Sequence, residues 1–373
     1  MNDSVTPHDP GARLYEASLR QLLSPINHHL DDESVTEVMI NGHAEIYIEK
    51  KGKIVKTDDS FKDEDSWQSA LKNIAQFVGK RLTPENLSIE ARLPDGSRVH
   101  ILQAPAARNG SCVAIRKFSK EKLTIEALQG FGSLTAECAE FLTFAVGLKK
   151  NIIVSGGTGS GKTTFLNCLS SMIPDGERII VLEDSSELQL QQDHVVQFEV
   201  KPPDVYGRGG IDMRELFRAT LRMRPDRIVV GECRGGEAID MIQAMNSGHG
   251  GSMSTAHSNS PVDALARLEV MCLMGDVDIP LVALRPQICG AVDMVVQITR
   301  FHDGTRKLTH VSEILGVDDD GKGRVSDIFS LTTDSDNNEK RLEWTGTKPS
   351  FSTEVKQSSF FDKVDKTQNI FFG

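Results

Sequence analysis

The sequence predicts an α/β protein in two parts: a larger domain built on a mainly parallel sheet, preceded by a smaller α+β domain. Three observations carry this. From about residue 150 short apolar runs alternate with helical patterns, the order that builds a parallel sheet covered on both faces. One junction, Ile152-Ile153-Val154, then Ser155-Gly156-Gly157-Thr158-Gly159-Ser160-Gly161-Lys162-Thr163-Thr164, then Phe165-Leu166-Asn167-Cys168-Leu169, reads strand, glycine-rich loop, helix. The length, 373 residues, exceeds what one core organises and calls for two domains plus tails.

Composition narrows the class. Hydrophobic residues make up 39% and charged residues 25%, as in ordinary globular chains. No apolar run approaches the ~18–20 residues of a membrane span, and Met1-Asn2-Asp3-Ser4 does not begin a signal-peptide pattern. The 6 cysteines are scattered without a C-x-x-C pair, so neither disulfides nor a zinc site is expected. A net charge of −11 argues against a nucleic-acid binder.

Residues 1–12, with Pro7, Pro10 and Gly11 among polar residues, read as a flexible tail. Residues 13–118 form the smaller domain. It opens with a helical pattern (Leu14, Leu19, Leu22, Leu23, Ile26) broken near Pro25. Val35–Ile40 and Glu45–Glu49 flank Asn41-Gly42 as a hairpin, and Lys53-Ile54-Val55 adds a strand. Trp67, Ala70, Leu71, Ile74, Ala75 and Val78 mark a helix over 66–78. Ile89, Ala91 and Leu93, then Val99 and Ile101, then Val113, Ile115 and Phe118 mark further strands.

Residues 119–127 are read as a polar linker and 128–316 as the larger domain. Its strands are expected at 152–154, 179–182, 195–200, 228–231, 252–256 and 292–298, with helices around 163–171, 213–223, 236–246, 261–271 and 280–288. Residues 317–373 are polar and read as a loosely packed extension, with a small strand at 341–344.

The loop from Gly156 to Thr163 fits G-x-x-x-x-G-K-[ST]. Its glycines let successive N–H groups turn toward one anion, and the following helix presents its N-terminus to phosphate. Lys162 supplies a point charge for β/γ-phosphates and Thr163 a hydroxyl for Mg²⁺. Gly157, Thr158, Gly159, Ser160, Gly161 and Thr164 complete the phosphate-binding set.

Such a loop needs acids at the carboxyl ends of neighbouring strands. Ile179–Leu182 ends in Glu183-Asp184, with Glu187 close behind, and Ile228–Gly231 ends in Glu232. Asp226 begins that second strand, ~20 Å from the crevice at ~3.3 Å per residue, and is out of reach. Glu232 and Glu183 are therefore the candidates to polarise water and to help hold Mg²⁺ through water, with the division of roles open. Arg214, Arg218 and Arg222 recur at i, i+4 and i+8 of one helix, where like charges repel. A solvated face and an external anion both account for them. His249 lies in Gly248-His249-Gly250-Gly251 and His257 ends a strand, where a neutral imidazole can hydrogen-bond a γ-phosphate.

Taken in order, the loop at 156–163, Leu182-Glu183-Asp184-Ser185-Ser186-Glu187-Leu188, the stretch from Arg222 to Arg234 and the stretch from Gly248 to Asn259 resemble the Walker A, Asp box, atypical Walker B and His box of the type II/type IV secretion ATPase superfamily. The chain is most similar to its CpaF/TadA branch, the motors of tight-adherence (type IVc) pili, through Ala91–Arg98, Ile115–Phe118 and Thr345–Phe351. The long N-terminal extension of many CpaF-like proteins, the four-cysteine metal element of type II and pilus-extension ATPases and the AIRNLIRE-type helix of retraction ATPases are not seen. The resemblance implies a RecA-like P-loop ATPase domain behind a PAS-like N-terminal domain, assembled as a homohexamer. It implies ATP and Mg²⁺ as cofactors, and inner-membrane platform proteins as partners at the cytoplasmic face. It carries Glu183, Glu187 and Glu232 to the acidic boxes, His249 and His257 to the His box, and Arg98, Arg116, Arg218 and Arg222 to arginine contacts with phosphate. A VirB-type secretion or conjugation ATPase, a small-molecule kinase and a non-hydrolysing nucleotide-sensing scaffold are the alternatives.

Overall fold

The structure is a computed structural model and describes residues 17–50, 52–78, 80–118, 123–203, 207–333 and 340–373. The tail expected at 1–12 lies outside the described residues. The chain divides into two compact units, Met1–Lys122 and Leu123–Gly373.

In the first unit α1 (residues 17–22) and α2 (Asn27–Asp31) precede β1 (Val35–Asn41), β2 (Glu45–Lys50) and β3 (Lys53–Lys56). Then come α3 (Glu64–Phe77), β4 (Ser88–Arg92), β5 (Arg98–Leu102) and β6 (Cys112–Arg116). The strands form one six-stranded sheet in the order β3-β2-β1-β6-β5-β4, antiparallel throughout. Burial alternates along β1 and β5 because one face carries the core. Val38, Ile40, Val99 and Ile115 pack there against Leu23, Trp67 and Leu71. α3 begins where Asp63 and Ser66 cap each other reciprocally, each side chain accepting the other's backbone N–H. Gly42, at φ +72°, supplies the left-handed residue of the β1–β2 turn.

The second unit holds α4 (Ile125–Gly130), α5 (Ala136–Gly147), β7 (Ile152–Gly156), α6 (Lys162–Ser170), β8 (Ile179–Glu183), β9 (Val195–Glu199), α7 (Met213–Thr220) and β10 (Arg227–Val230). It continues with α8 (Glu237–Asn246), β11 (Met253–His257), α9 (Pro261–Leu273), α10 (Leu281–Ala291), β12 (Met294–Arg300), β13 (Arg306–Val317), β14 (Gly323–Thr333), β15 (Lys340–Trp344), α11 (Ser352–Gln357) and α12 (Gln368–Phe372). Its nine-stranded sheet runs β15-β14-β13-β12-β7-β11-β10-β8-β9. From β12 to β9 neighbours are parallel, and β13, β14 and β15 add an antiparallel flank. Two cores cover the sheet faces, one around Phe141, Val154 and Phe165, the other around Ile153, Phe217 and Ile242.

Two expectations need correction. Residues 123–127 are not linker: Leu123 and Ile125 pack on the core and α4 starts at Ile125, capped by Thr124. Residues 119–122 lie outside the described residues. Nor is 317–373 a loose extension. β14 and β15 extend the main sheet, and Phe351, Val355, Ile370 and Phe371 are buried in its core. The rings of Phe329, Phe351 and Phe371 lie 5.3, 5.5 and 5.7 Å from that of Phe141. The polar run 318–321 that suggested a tail is the turn joining β13 to β14, in which Asp318 accepts from the backbone N–H groups of Asp320 and Lys322.

Candidate nucleotide site

The carboxyl ends of the parallel strands place the loop, the acids and one histidine together. β7 ends in Gly156, and the register sets His257 of β11 opposite it on one side and Ile298 of β12 on the other. A Cβ on Gly156 would fall 2.4 Å from the Ile298 carbonyl oxygen and 2.6 Å from Ser160 Oγ, so only glycine closes the turn. Gly159 and Gly161, at φ +69° and +96°, complete the curl, and α6 starts immediately after with no acid in its first turn. Lys162 is the first residue of α6, Thr163 the second, and Thr164, the third, is exposed.

The Lys162 side chain is buried, 7% exposed, and its amine donates to the Gly157 carbonyl at 2.9 Å and lies 3.3 Å from His257 Nδ1. His257 Nε2 is 2.7 Å from Glu232 Oε1. That contact is short but not aligned as a hydrogen bond, which leaves Glu232 Oε1 a buried carboxylate oxygen without a donor. Burial, reinforced by the positive charge of Lys162, pushes the His257 pKa below its ordinary value despite Glu232. The imidazole is therefore neutral near pH 7, with Nδ1 accepting from Lys162 and Nε2 beside Glu232.

Glu183 ends β8, almost fully buried. Its Oε1 accepts the backbone N–H groups of Glu187 and Leu188 at 2.8 and 3.0 Å, so this carboxylate shapes the 184–188 loop. Glu187 enters that arrangement through its backbone. Arg234, to which the sequence reading gave no role, bridges both acidic strand ends: its Nε donates to Glu232 Oε2 at 2.7 Å and its Nη1 lies 3.3 Å from Asp184 Oδ2. Its place two residues after Glu232 is the signal that could have found it. Arg306 Nε donates to the Gly159 carbonyl at 3.0 Å, and a Cβ on Gly159 would lie 3.2 Å from Arg300 Nη1. Nothing in residue spacing ties 300–306 to the loop; the pairing of β12 with β7 does.

His249 and Arg222 are not at this end of the sheet. His249 precedes β11, at the amino edge, where Ser252 Oγ donates to its carbonyl and Ser252 N–H donates to Asn151 before β7. Five residues of strand separate it from His257, about 15 Å. The helix expected over 213–223 ends at Thr220, and Arg222 falls in the turn after it, beside Met223, whose carbonyl accepts from Arg178 just before β8. Arg222 is thus also at the amino edge. Arg214 and Arg218 do not depend on an outside anion: Asp240, 8% exposed, accepts Arg214 Nε at 2.8 Å and Arg218 Nε at 3.1 Å. Arg98 and Arg116 belong to the first unit, where register sets them opposite each other on β5 and β6, with Glu37 of β1 on the far side of Arg116.

A strand–loop–helix that turns N–H groups inward, a buried lysine on that loop and acids at adjoining strand ends define a P-loop nucleotide-binding protein of RecA-like fold. The chain belongs to the type II/IV secretion system protein family, which matches residues 20–334, and hence to the type II/type IV secretion ATPase superfamily. It is 33% identical over 341 residues to the type IV secretion system protein VirB11 of Brucella suis biovar 1, covering 84% of this chain and 94% of that one. It is 33% identical over 311 residues to a type IV secretion system protein PtlH homolog of Bordetella bronchiseptica, covering 76% and 91%. The X-ray structure of the Legionella pneumophila ATPase DotB shares the fold, with a TM-score of 0.56 at 17% identity over 86% of this chain and 84% of that one. Among the described residues no helix is long and apolar enough to cross a membrane.

Proposed function

We propose that the chain is an ATPase motor of a secretion or pilus system, working as a homohexamer at the cytoplasmic face of an inner membrane with platform proteins of that membrane. The observation that carries it is the contact chain Lys162–His257–Glu232, which sets a cation, a neutral imidazole and a carboxylate side by side at the phosphate loop.

The arrangement suits in-line attack of water on a γ-phosphate. Lys162 exchanges the Gly157 carbonyl and His257 for phosphate oxygens. Glu232, with one buried oxygen lacking a donor, orients the attacking water and accepts its proton. His257 hydrogen-bonds the transferring group, and Arg234 holds the second oxygen of Glu232 in place. The orphaned carboxylate oxygen and the Thr163 hydroxyl fit a hard cation: Thr163 directly, and Glu232 and Glu183 through water, would hold Mg²⁺, which when bound neutralises charge on the β- and γ-phosphates. Arg98, Arg116 and the exposed Arg218 are the proposed arginine contacts, supplied by the first unit or by a neighbouring subunit. For His249 and Arg222, at the amino edge, any phosphate contact would have to be made to another subunit's nucleotide.

Within the superfamily, similarity of 91–98, 115–118 and 345–351 to the CpaF/TadA branch supports a tight-adherence pilus motor. Identity to VirB11 over most of both chains supports a VirB-type secretion ATPase as the second reading. Phosphate release from ATP by the purified chain, with Lys162→Ala as control and light scattering for assembly, tests the motor reading. Release equal in parent and variant, or a monomer at all concentrations, overturns it.

A further inference from the structure

Consecutive helical residues point about 100° apart, so their side chains ordinarily diverge. His28 and His29 of α2 do the opposite. His28 Nε2 lies 3.2 Å and His29 Nε2 2.8 Å from the same oxygen, Oδ2 of Asp59. Their rings are 3.9 Å apart at a 43° tilt, and one donor atom from each of the three residues lies within 4.8 Å of the others. This cluster is in the first unit, whereas the phosphate loop and its acids are in the second. Cysteine and histidine spacing did not reveal it, because the carboxylate comes from a separate segment.

His29 and Asp59 are held from outside the cluster. The His29 carbonyl accepts from Lys117 Nζ, which also binds the Asp32 carbonyl, fixing the end of α2 to the strand β6 side of the sheet. Asp59 sits between two anchors. Thr57 donates its N–H and hydroxyl to the Ile46 carbonyl, and Phe61 donates its N–H to the His43 carbonyl while its ring packs on Trp67. Nearby carboxylates are engaged elsewhere: Asp31 pairs with Arg20, and Asp32 with Lys50 and Ser34. The His29 side chain is largely buried, whereas His28 is open to solvent.

We propose that His28, His29 and Asp59 form a site for a borderline divalent transition-metal ion of the Zn²⁺ class, tying α2 to the segment after β3. Two imidazoles and one carboxylate suit Zn²⁺, Co²⁺ or Ni²⁺ rather than Mg²⁺ or Ca²⁺, which take oxygen donors. Bonds of about 2.0–2.2 Å to a tetrahedral ion set donors about 3.3 Å apart, against 3.2 and 2.8 Å from the two imidazole nitrogens to Asp59 Oδ2. Three protein ligands leave one position open to water.

The test is titration of the EDTA-treated full chain with Co²⁺, followed by displacement with Zn²⁺, in nucleotide-free and Mg²⁺-free buffer. One Co²⁺ per chain is expected, with visible bands that Zn²⁺ removes. His28→Ala, at an exposed position that leaves folding intact, weakens binding at least about tenfold, and Asp59→Asn does the same. His257→Ala binds as the parent does. Curves for His28→Ala and Asp59→Asn that match the parent, loss of the bands in His257→Ala instead, or no saturable binding by the parent overturns the proposal.

Discussion

Lys162 Nζ lies 3.3 Å from His257 Nδ1, and this pairing defines the state of both groups. A histidine that accepts from an ammonium must be neutral, and burial together with the Lys162 charge keeps it so by lowering its pKa. In the nucleotide-free chain the His257 imidazole should therefore stay neutral as pH falls from about 7 to about 6.5, where an ordinary histidine is half protonated, and its ring-proton NMR shifts should hold steady. His257→Ala should lower kcat about tenfold or more while KM for ATP changes little, because the contact matters most as charge develops. A parallel loss in KM would assign His257 to ground-state binding instead.

Glu232→Gln tests the proton-accepting role. The amide preserves shape and can still accept from Arg234, so nucleotide binding should stay within about threefold while phosphate release falls at least about 100-fold. Binding by fluorescent nucleotide and release by a coupled assay separate the two. If both fall together, Glu232 holds the site in shape rather than handling water.

Much of the candidate site's layout was legible because each part obeys a local rule. A glycine-rich loop between strand and helix has one reading, and in a parallel sheet acids near strand ends meet it, so Glu232, Glu183 and His257 were placed from sequence. His249 was not, although the rule that removes Asp226 reaches it too: it precedes β11 and so sits at the amino edge, and only His257 is at the carboxyl end. Arg306 was invisible because its tie to Gly159 runs through strand pairing across the sheet. The C-terminal region was misjudged for a related reason. Phe351, Ile370 and Phe371 have no common period, and their burial depends on α5, whose Phe141 lies far away in sequence.

Asp240 should matter more than either arginine it binds. It is nearly buried and neutralises Arg214 and Arg218 together, so Asp240→Asn leaves Arg218 with an uncharged partner and Arg214 with only the exposed Asp276 as a carboxylate. The expected loss is about 2–3 kcal/mol in urea unfolding. Arg218→Ala removes a side chain that is 58% exposed and should cost under about 1 kcal/mol. Equal losses in the two variants would show that Asp240 is not the shared anchor.

Glu140 pins the C-terminal segment to α5. Its Oε1 accepts the backbone N–H groups of Asp365, Lys366 and Thr367 and the Thr367 hydroxyl, the last at 2.6 Å. Burial alone would raise its pKa; the Thr367 hydroxyl and the three N–H groups outweigh burial and hold it below the ordinary glutamate value. A carboxyl with a depressed folded pKa adds stability that is complete above its unfolded value, about 4.3, and is lost as pH falls through the lower folded value. Glu140→Gln should therefore destabilise by about 1–2 kcal/mol at neutral pH. The difference from the parent should narrow below about pH 4, where the parent's own carboxyl takes up its proton. Urea midpoints of both proteins at neutral and acid pH measure this, and a gap that stays constant would mean that the ionised carboxylate is not what holds residues 365–367.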